Sequence, residues 1–287
     1  MKIQSLSIVV PTNRCINDCA FCVSKQHTED YGENRMNPSQ PGYHQAIRDY
    51  QRRMAFARDN HCNTVMLTGD GEPTQNRQFL ATFGDINRSL AQPFRWVSIQ
   101  TAGALLTREY LDFLRDQVGV TTVSLSLSAP DDEKNAEYTG HHGEPVRIQE
   151  LCNQIKDAGF NLRLSVNMTD AWHWDAASFF QYAADRAADA VTFRILYASG
   201  DTPQARWIGE HNVDDRIIES VRQYIKEYGR PLETLEFGQV RYDVHGISTV
   251  LDDDCMATEV KSQLKYLVLR PNCHLYTKWD SAASLLF

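Results

Sequence analysis

The chain has 287 residues, 42% hydrophobic and 23% charged, which suits one large α/β domain, or a core of about 200 residues with an appendage, and argues against disorder. Its formal net charge is −8, from 29 basic and 37 acidic residues, and this disfavours a protein that grips nucleic-acid backbone. No targeting segment opens the chain and no apolar run approaches the roughly 18 residues of a membrane span, so no membrane partner and a cytoplasmic location with reduced thiols are expected.

Residues 6–12 form a short apolar run ending in Pro11-Thr12-Asn13, which predicts a first strand. A polar loop with three cysteines follows. Helical periodicity runs through 44–58, and 64–68 reads as the second strand, with Gly69-Asp70-Gly71 after it. A helix over 78–90 leads to a strand over 96–101, and a helix over 107–115 to a strand over 122–128. The next helix has the clearest signals. Pro145 suits its first turn, Ile148, Leu151, Cys152 and Ile155 form its apolar face, and Gly159 stops it. Strands over 162–168 and 190–196 enclose a helix near 176–187. Six βα-type alternations in a row predict a parallel sheet with helices outside, curled by right-handed crossovers into a partial (β/α)6 barrel.

One face of that sheet is polar. Ser124, Ser126 and Ser128 alternate with Val123, Leu125 and Leu127; Arg163, Ser165 and Asn167 alternate with Leu162, Leu164 and Val166; Thr192 and Arg194 alternate with Val191 and Phe193. A parallel strand buried on both faces should be apolar throughout. An open sheet with one wetted face fits the pattern, and so does a lumen filled by a polar ligand. Residues 198–203 read as a linker. A helix over 213–228 ends at Gly229, and the tail is β-like at 247–251, 266–270 and 274–277, the last two joined by a turn at Arg270-Pro271-Asn272-Cys273. Residues 1–204 are thus expected to form the core and 205–287 a C-terminal α+β extension that caps or underlies it.

Three of the seven cysteines stand at Cys15-x-x-x-Cys19-x-x-Cys22. An odd count with such crowding does not read as a disulfide framework. Thiolates are soft ligands for an iron–sulfur cluster or zinc. Three of them can hold three irons of a [4Fe–4S] cubane and leave the fourth open, whereas zinc would need a fourth ligand, for which His27 is the nearby candidate. Cys62 and Cys152 read as buried structural thiols. Cys255 and Cys273 are too few for an auxiliary cluster, so a single cluster is expected.

The spacing, with Phe21 before the last cysteine, resembles the radical S-adenosylmethionine (SAM) superfamily. Thr68-Gly69-Asp70-Gly71-Glu72-Pro73 resembles that family's glycine-rich GxGEP element after the second strand. The resemblance implies a TIM-like partial barrel in which the open iron chelates SAM and reductive cleavage yields a 5′-deoxyadenosyl radical that abstracts hydrogen from a substrate. It implies that Phe21, Gly69, Asp70, Gly71 and Glu72 belong to the SAM site, with Glu72 and backbone carbonyls at the amino group. Gln100-Thr101-Ala102-Gly103 is similar to the family's Thr-Asn-Gly strand end, with Ala102 where Asn is expected. Ser126 or Ser128 matches the serine at the SAM ribose, and Arg163, Ser165, Asn167 and Arg194 are candidates for its carboxylate and hydroxyls. Residues 12–22 and Ser124-Leu125-Ser126-Leu127-Ser128-Ala129-Pro130 resemble the TatD-linked radical SAM subgroup, over about residues 5–200 in patches.

A one-electron reductant of flavodoxin or ferredoxin type and a small-molecule or peptide substrate are the implied partners. A glycyl-radical activase and an electron-transfer protein that never cleaves SAM are the rival readings. In the tail, His245, Asp252, Asp254 and Cys255 carry the most unexplained polarity and are the candidate substrate residues.

Overall fold

The protein is described by a computed structural model over residues 2–27, 29–172, 175–235, 239–252, 259–260 and 263–287. Strand β1 (Lys2–Val9) leads through the cysteine loop to α1 (Tyr43–Asp59). β2 (Thr64–Thr68) precedes α2 (Arg77–Ser89), and β3 (Trp96–Thr101) precedes α3 (Arg108–Phe113), which continues as a π-helical turn to Val118. β4 (Thr122–Leu127) is followed by α4 (Asp132–Thr139) and α5 (Ile148–Asp157). Then come β5 (Asn161–Asn167), α6 (Ala176–Asp185), β6 (Ala190–Arg194), α7 (Pro203–His211) and α8 (Asp215–Tyr228). The tail adds β7 (Gly229–Thr234), β8 (Val240–Val244), β9 (Ile247–Asp252), β10 (Glu259–Val260), β11 (Gln263–Leu269) and β12 (Leu275–Tyr276).

The helices begin where the sequence supplies acceptors for their orphan N–H groups. Asn76, Thr107, Asp131, Asp175, Thr202 and Asp214 each accept a backbone N–H in the first turn of α2, α3, α4, α6, α7 and α8. Two of these helices, α4 and α7, are absent from the sequence reading. Residues 198–203 end in a cap-and-proline start for α7, with Thr202 as N-cap and Pro203 at N1, rather than in a plain linker.

β1 to β6 pair in parallel in chain order, as the alternation predicts. The tail then extends the same sheet at both edges. β11 pairs in parallel with β1, and β9 in parallel with β6, so eight adjacent strands run one way among the described residues. Antiparallel β8 and β7 continue outward from β9, and β10 and β12 both pair with β11. β9 and β11 lie at opposite ends of this parallel run, yet Lys265 of β11 forms an ion pair with Asp252 of β9 at 3.1 Å. That contact shows that the sheet curls until its two edges meet.

One side of each barrel strand packs under the helices. Leu6, Ile8, Val65, Leu67, Ile99, Val123, Leu125, Leu162, Leu164 and Val166 are fully buried there, in one core cluster with residues such as Tyr50, Phe83, Leu111 and Ile155. The register sets the opposite side in rows. Ser126, Ser165 and Thr192 share one level, and Asn167, Arg194 and Asp252 share the next, toward the C-terminal ends. No helix among the described residues is long and apolar enough to cross a membrane.

Candidate functional site

The cysteine loop leaves the C-terminal end of β1 and is fixed from several sides. Gln75, just after the Gly69–Pro73 turn, accepts the Ile16 N–H at 3.0 Å and donates to the Arg14 carbonyl at 2.9 Å. The Asn76 amide donates to the Pro11 carbonyl at 2.7 Å. On the far side, the Asp18 N–H reaches the carbonyls of Thr139 and Gly140 at the end of α4, and Asn17 Oδ1 meets His141 Nδ1 at 2.8 Å. Gln26 extends the anchoring to the segment after β6, donating to the Tyr197 carbonyl at 2.9 Å and accepting the Ser199 N–H at 2.8 Å.

Cys15, Cys19 and Cys22 are free and half-buried on this loop. Burial raises the Cys15 thiol pKa, and the nearby Glu72 and Cys22 raise it further. Burial, then Cys22 and Cys15, push the Cys19 thiol up to about 12. The thiols therefore sit close enough to oppose one another's ionisation, and a cationic iron centre is what reverses that cost. Among the described residues no three His, Cys, Asp or Glu side chains crowd around one point as ligands of a single ion would. A cubane differs, because each thiolate takes a separate iron. The donor set thus fits a cluster with one open iron.

Gly69 and Gly71 bring the turn after β2 against this loop. A Cβ on Gly69 would lie 2.8 Å from the Val10 carbonyl oxygen, and one on Gly71 would collide with Thr12 Oγ1 and reach Cys15 Cβ at 3.5 Å. Only glycine allows the two backbones to approach this closely. Glu72 is 4% exposed. Its Oε1 accepts from Thr74 Oγ1 at 2.7 Å and Thr74 N–H at 3.2 Å, and its Oε2 accepts the Ala102 N–H at 2.9 Å. The carboxylate ties the glycine turn to the end of β3, and Oε2 keeps a lone pair for a further donor. Asp70 points elsewhere: its carboxylate pairs with Arg270 at 3.0 Å, while its backbone carbonyl accepts from Ser24. Arg270 is 2% exposed, lies over the Tyr31 ring at 3.4 Å and donates to the Trp279 carbonyl.

The remaining candidates stand at or near the C-terminal ends of β3 to β6. Thr101 Oγ1 accepts the Gly103 N–H at 2.9 Å. Ser128 Oγ accepts from Asn167 at 3.0 Å, and Arg194 Nε donates to Ser165 Oγ at 2.8 Å. Ser126 lies beside Ser165 in register. Asp252 joins this group through Arg194 at 3.6 Å, Lys265 at 3.1 Å and Gln239 at 2.9 Å. Burial opposes its ionisation, but Arg194 and Lys265 outweigh it and hold the carboxyl below its usual range.

His245 is not brought to this group. It forms the tight β8–β9 turn with Gly246, both at positive φ, and its ring meets the Tyr224 hydroxyl at 3.0 Å. That turn is at the N-terminal end of β9, whose first residue, Ile247, is about 17 Å from Asp252 at roughly 3.4 Å per residue. Asp254 and Cys255 lie outside the described residues. Cys62, Cys152 and Cys273 are buried, and burial pushes their thiols up to about 12, 11 and 11.

Sequence reasoning missed a cluster beside Phe21. Trp207 of α7 lies 5.6 Å from the Phe21 ring, stacks on His211 at 4.3 Å and meets Tyr138 edge-on. The Tyr138 hydroxyl donates to Asp170 at 2.8 Å, and His211 Nδ1 lies 3.1 Å from the same carboxylate. These residues come from α4, the loop after β5 and α7, so no spacing in the chain announces them.

The Radical SAM superfamily model matches residues 9–170, more than half of the chain, and the chain belongs to that superfamily. It is therefore an enzyme whose cofactors are a [4Fe–4S] cluster and SAM. It is 22% identical over 228 residues to the antilisterial bacteriocin subtilosin biosynthesis protein AlbA of Bacillus subtilis (strain 168), covering 75% of this chain and 46% of that one. The chain thus spans about half the length of this curated relative. Its fold is similar to that of Streptococcus suis SuiB bound to the precursor peptide SuiA, with a TM-score of 0.61 and 15% identity, over 99% of this chain and 64% of that one. It is also similar to anSMEcpe with bound AdoMet and the Kp18Cys peptide, with a TM-score of 0.63 and 12% identity, over 99% of this chain and 77% of that one.

Proposed function

We propose that the chain is a radical SAM enzyme acting on a peptide, with the cluster on Cys15, Cys19 and Cys22. When bound, the cluster and SAM supply a 5′-deoxyadenosyl radical that abstracts a substrate hydrogen, and a flavodoxin- or ferredoxin-type protein supplies the electron. The observation that carries this reading is convergence. The cysteine loop, the Gly69–Glu72 turn and the polar ends of β3 to β6 meet at one end of one barrel, where α/β sites form. The chain's own residues then divide the work. Glu72 and the glycine backbone receive the SAM amino group, and Thr101, Ser126, Ser128, Ser165, Asn167 and Arg194 offer donors and acceptors for its ribose and carboxylate. Phe21, backed by Trp207, walls the site. Residues 205–287 complete the chamber, with Asp252 on its rim.

Peptide is favoured as the substrate class because structures of SuiB and anSMEcpe hold peptides and AlbA serves bacteriocin biosynthesis. The test is anaerobic reconstitution followed by SAM and dithionite. 5′-Deoxyadenosine should form in the wild type and not in the triple Cys15, Cys19, Cys22→Ala variant. A fully loaded protein that binds SAM and never cleaves it would overturn the reading in favour of electron transfer.

A further inference from the structure

The interior side of β5 carries a cation, Arg163, with no counter-charge among the described residues. Among the described residues, the Arg163 guanidinium makes no hydrogen bond and no ion pair. Its register neighbours are Ser124 on β4 and Ala190 on β6. Ser124 is fully buried, and its Oγ has no hydrogen-bond partner. The charged groups that act on Arg163 are both cations, Arg194 and Arg241, and burial followed by these two pushes its guanidinium below the ordinary pKa. The neighbouring carboxylates are already engaged. Asp252 holds Lys265, Gln239 and Arg194, and Glu233 holds Arg241 at 3.2 Å. Arg241 Nε is itself buried without a partner.

Among the described residues, three arginines against the engaged carboxylates leave this part of the barrel short of negative charge. Arg163 is half-buried, and a partly desolvated charge without a partner is costly, so an arriving anion offsets that cost. A guanidinium also offers a planar fork that matches a carboxylate. We propose that Arg163, with Ser124 and Arg241, forms an oxyanion site inside the barrel that receives a carboxylate of the substrate. This rests on the reading that the barrel is the substrate chamber. The resemblance offered Arg163 to the SAM carboxylate or hydroxyls, but it lies four residues below Asn167 on β5, about 13 Å from the strand end at roughly 3.3 Å per residue and one inward step deeper than Ser165, so it is assigned here to a site beneath the SAM residues rather than among them. An acidic side chain or a C-terminal carboxylate of a peptide is the class of group that fits.

The carboxylate of SAM has the same chemistry, and the experiment separates the two. Holoenzyme with saturating SAM and no reductant is titrated with glutarate, and with glutaramide as the uncharged control, at fixed ionic strength. Glutarate should bind and glutaramide should not. Arg163→Gln should weaken glutarate by about ten- to a hundredfold, the loss expected for a charged hydrogen-bonded contact. Arg163→Lys should restore part of it, and SAM affinity should be unchanged in both. Absence of glutarate binding, or equal binding to Arg163→Gln, overturns the proposal. So does an Arg163→Gln variant that loses SAM affinity, because the site would then belong to SAM. Removing an unpaired cation should leave thermal stability equal or higher, and a large loss would show that Arg163 has a structural partner instead. Uncoupled 5′-deoxyadenosine formation in the same variants reports on the SAM reading separately.

Discussion

Glu72 ties the glycine turn to the end of β3, and under the proposed function it also receives the SAM amino group; substitution can separate the two roles. Its carboxylate is the acceptor for Thr74 N–H, Thr74 Oγ1 and Ala102 N–H, with Thr74 almost wholly buried. Glu72→Ala strands all three donors. A buried donor without an acceptor costs about 1–3 kcal/mol, and water entering the vacated space serves some of them, so the net loss should be about 2–4 kcal/mol. Glu72→Gln keeps the shape and one acceptor oxygen, which can serve Thr74, but turns an N–H toward the Ala102 N–H. It should lose about 1–2 kcal/mol. Urea unfolding of the anaerobic protein measures these losses as a shift of midpoint at constant slope. If Glu72 also receives the SAM amino group, both variants should lose SAM affinity to a similar degree, because an amide donor repels an ammonium. Wild-type urea resistance in Glu72→Ala would refute the tether. Undiminished SAM binding in Glu72→Gln would refute the contact with SAM.

Replacing Cys15, Cys19 and Cys22 by Ala should remove the iron and the brown colour, whereas Ala at Cys62, Cys152 and Cys273 should leave about four irons and four sulfides per chain on analysis and lower only the melting temperature. Because burial raises the Cys62 thiol from 9.0 to about 12, the folded state binds more protons than the unfolded state across that window. Stability should therefore fall as pH climbs from about 9 to 12, and less steeply in Cys62→Ala, as read by denaturant titration at each pH. Arg270→Met removes the cation that holds Asp70 and should raise the KM for SAM by about tenfold with iron content unchanged, since a charged hydrogen bond contributes about 1.5–3 kcal/mol. Gly71→Ala places a methyl against Thr12 and the cysteine loop, and iron incorporation should drop in a protein whose circular dichroism stays native.

The parts of this protein that sequence discloses are those where one short segment meets a demanding ligand. A cluster held as proposed needs three thiolates close together on one loop, and Gly71 must approach Cys15 without a side chain, so the residue types and their spacing are forced within a few positions. The alternation of Arg163, Ser165 and Asn167 with Leu162, Leu164 and Val166 is legible for a similar reason, because a strand shows its two environments in steps of two. What the sequence conceals depends on partners far along the chain. β11 pairs with β1 across some 260 residues and β9 pairs with β6, and neither apolar run states which strand it will join. The tail therefore read as a separate extension although it contributes two strands to the barrel sheet. His245 shows the same difficulty at short range. It is seven residues from Asp252, but a strand intervenes, and the strand carries the two to opposite ends of the sheet. Proximity in sequence predicts proximity in space only within a turn or a loop. Across a strand it predicts separation, and a cluster of polar residues that spans one is two sites.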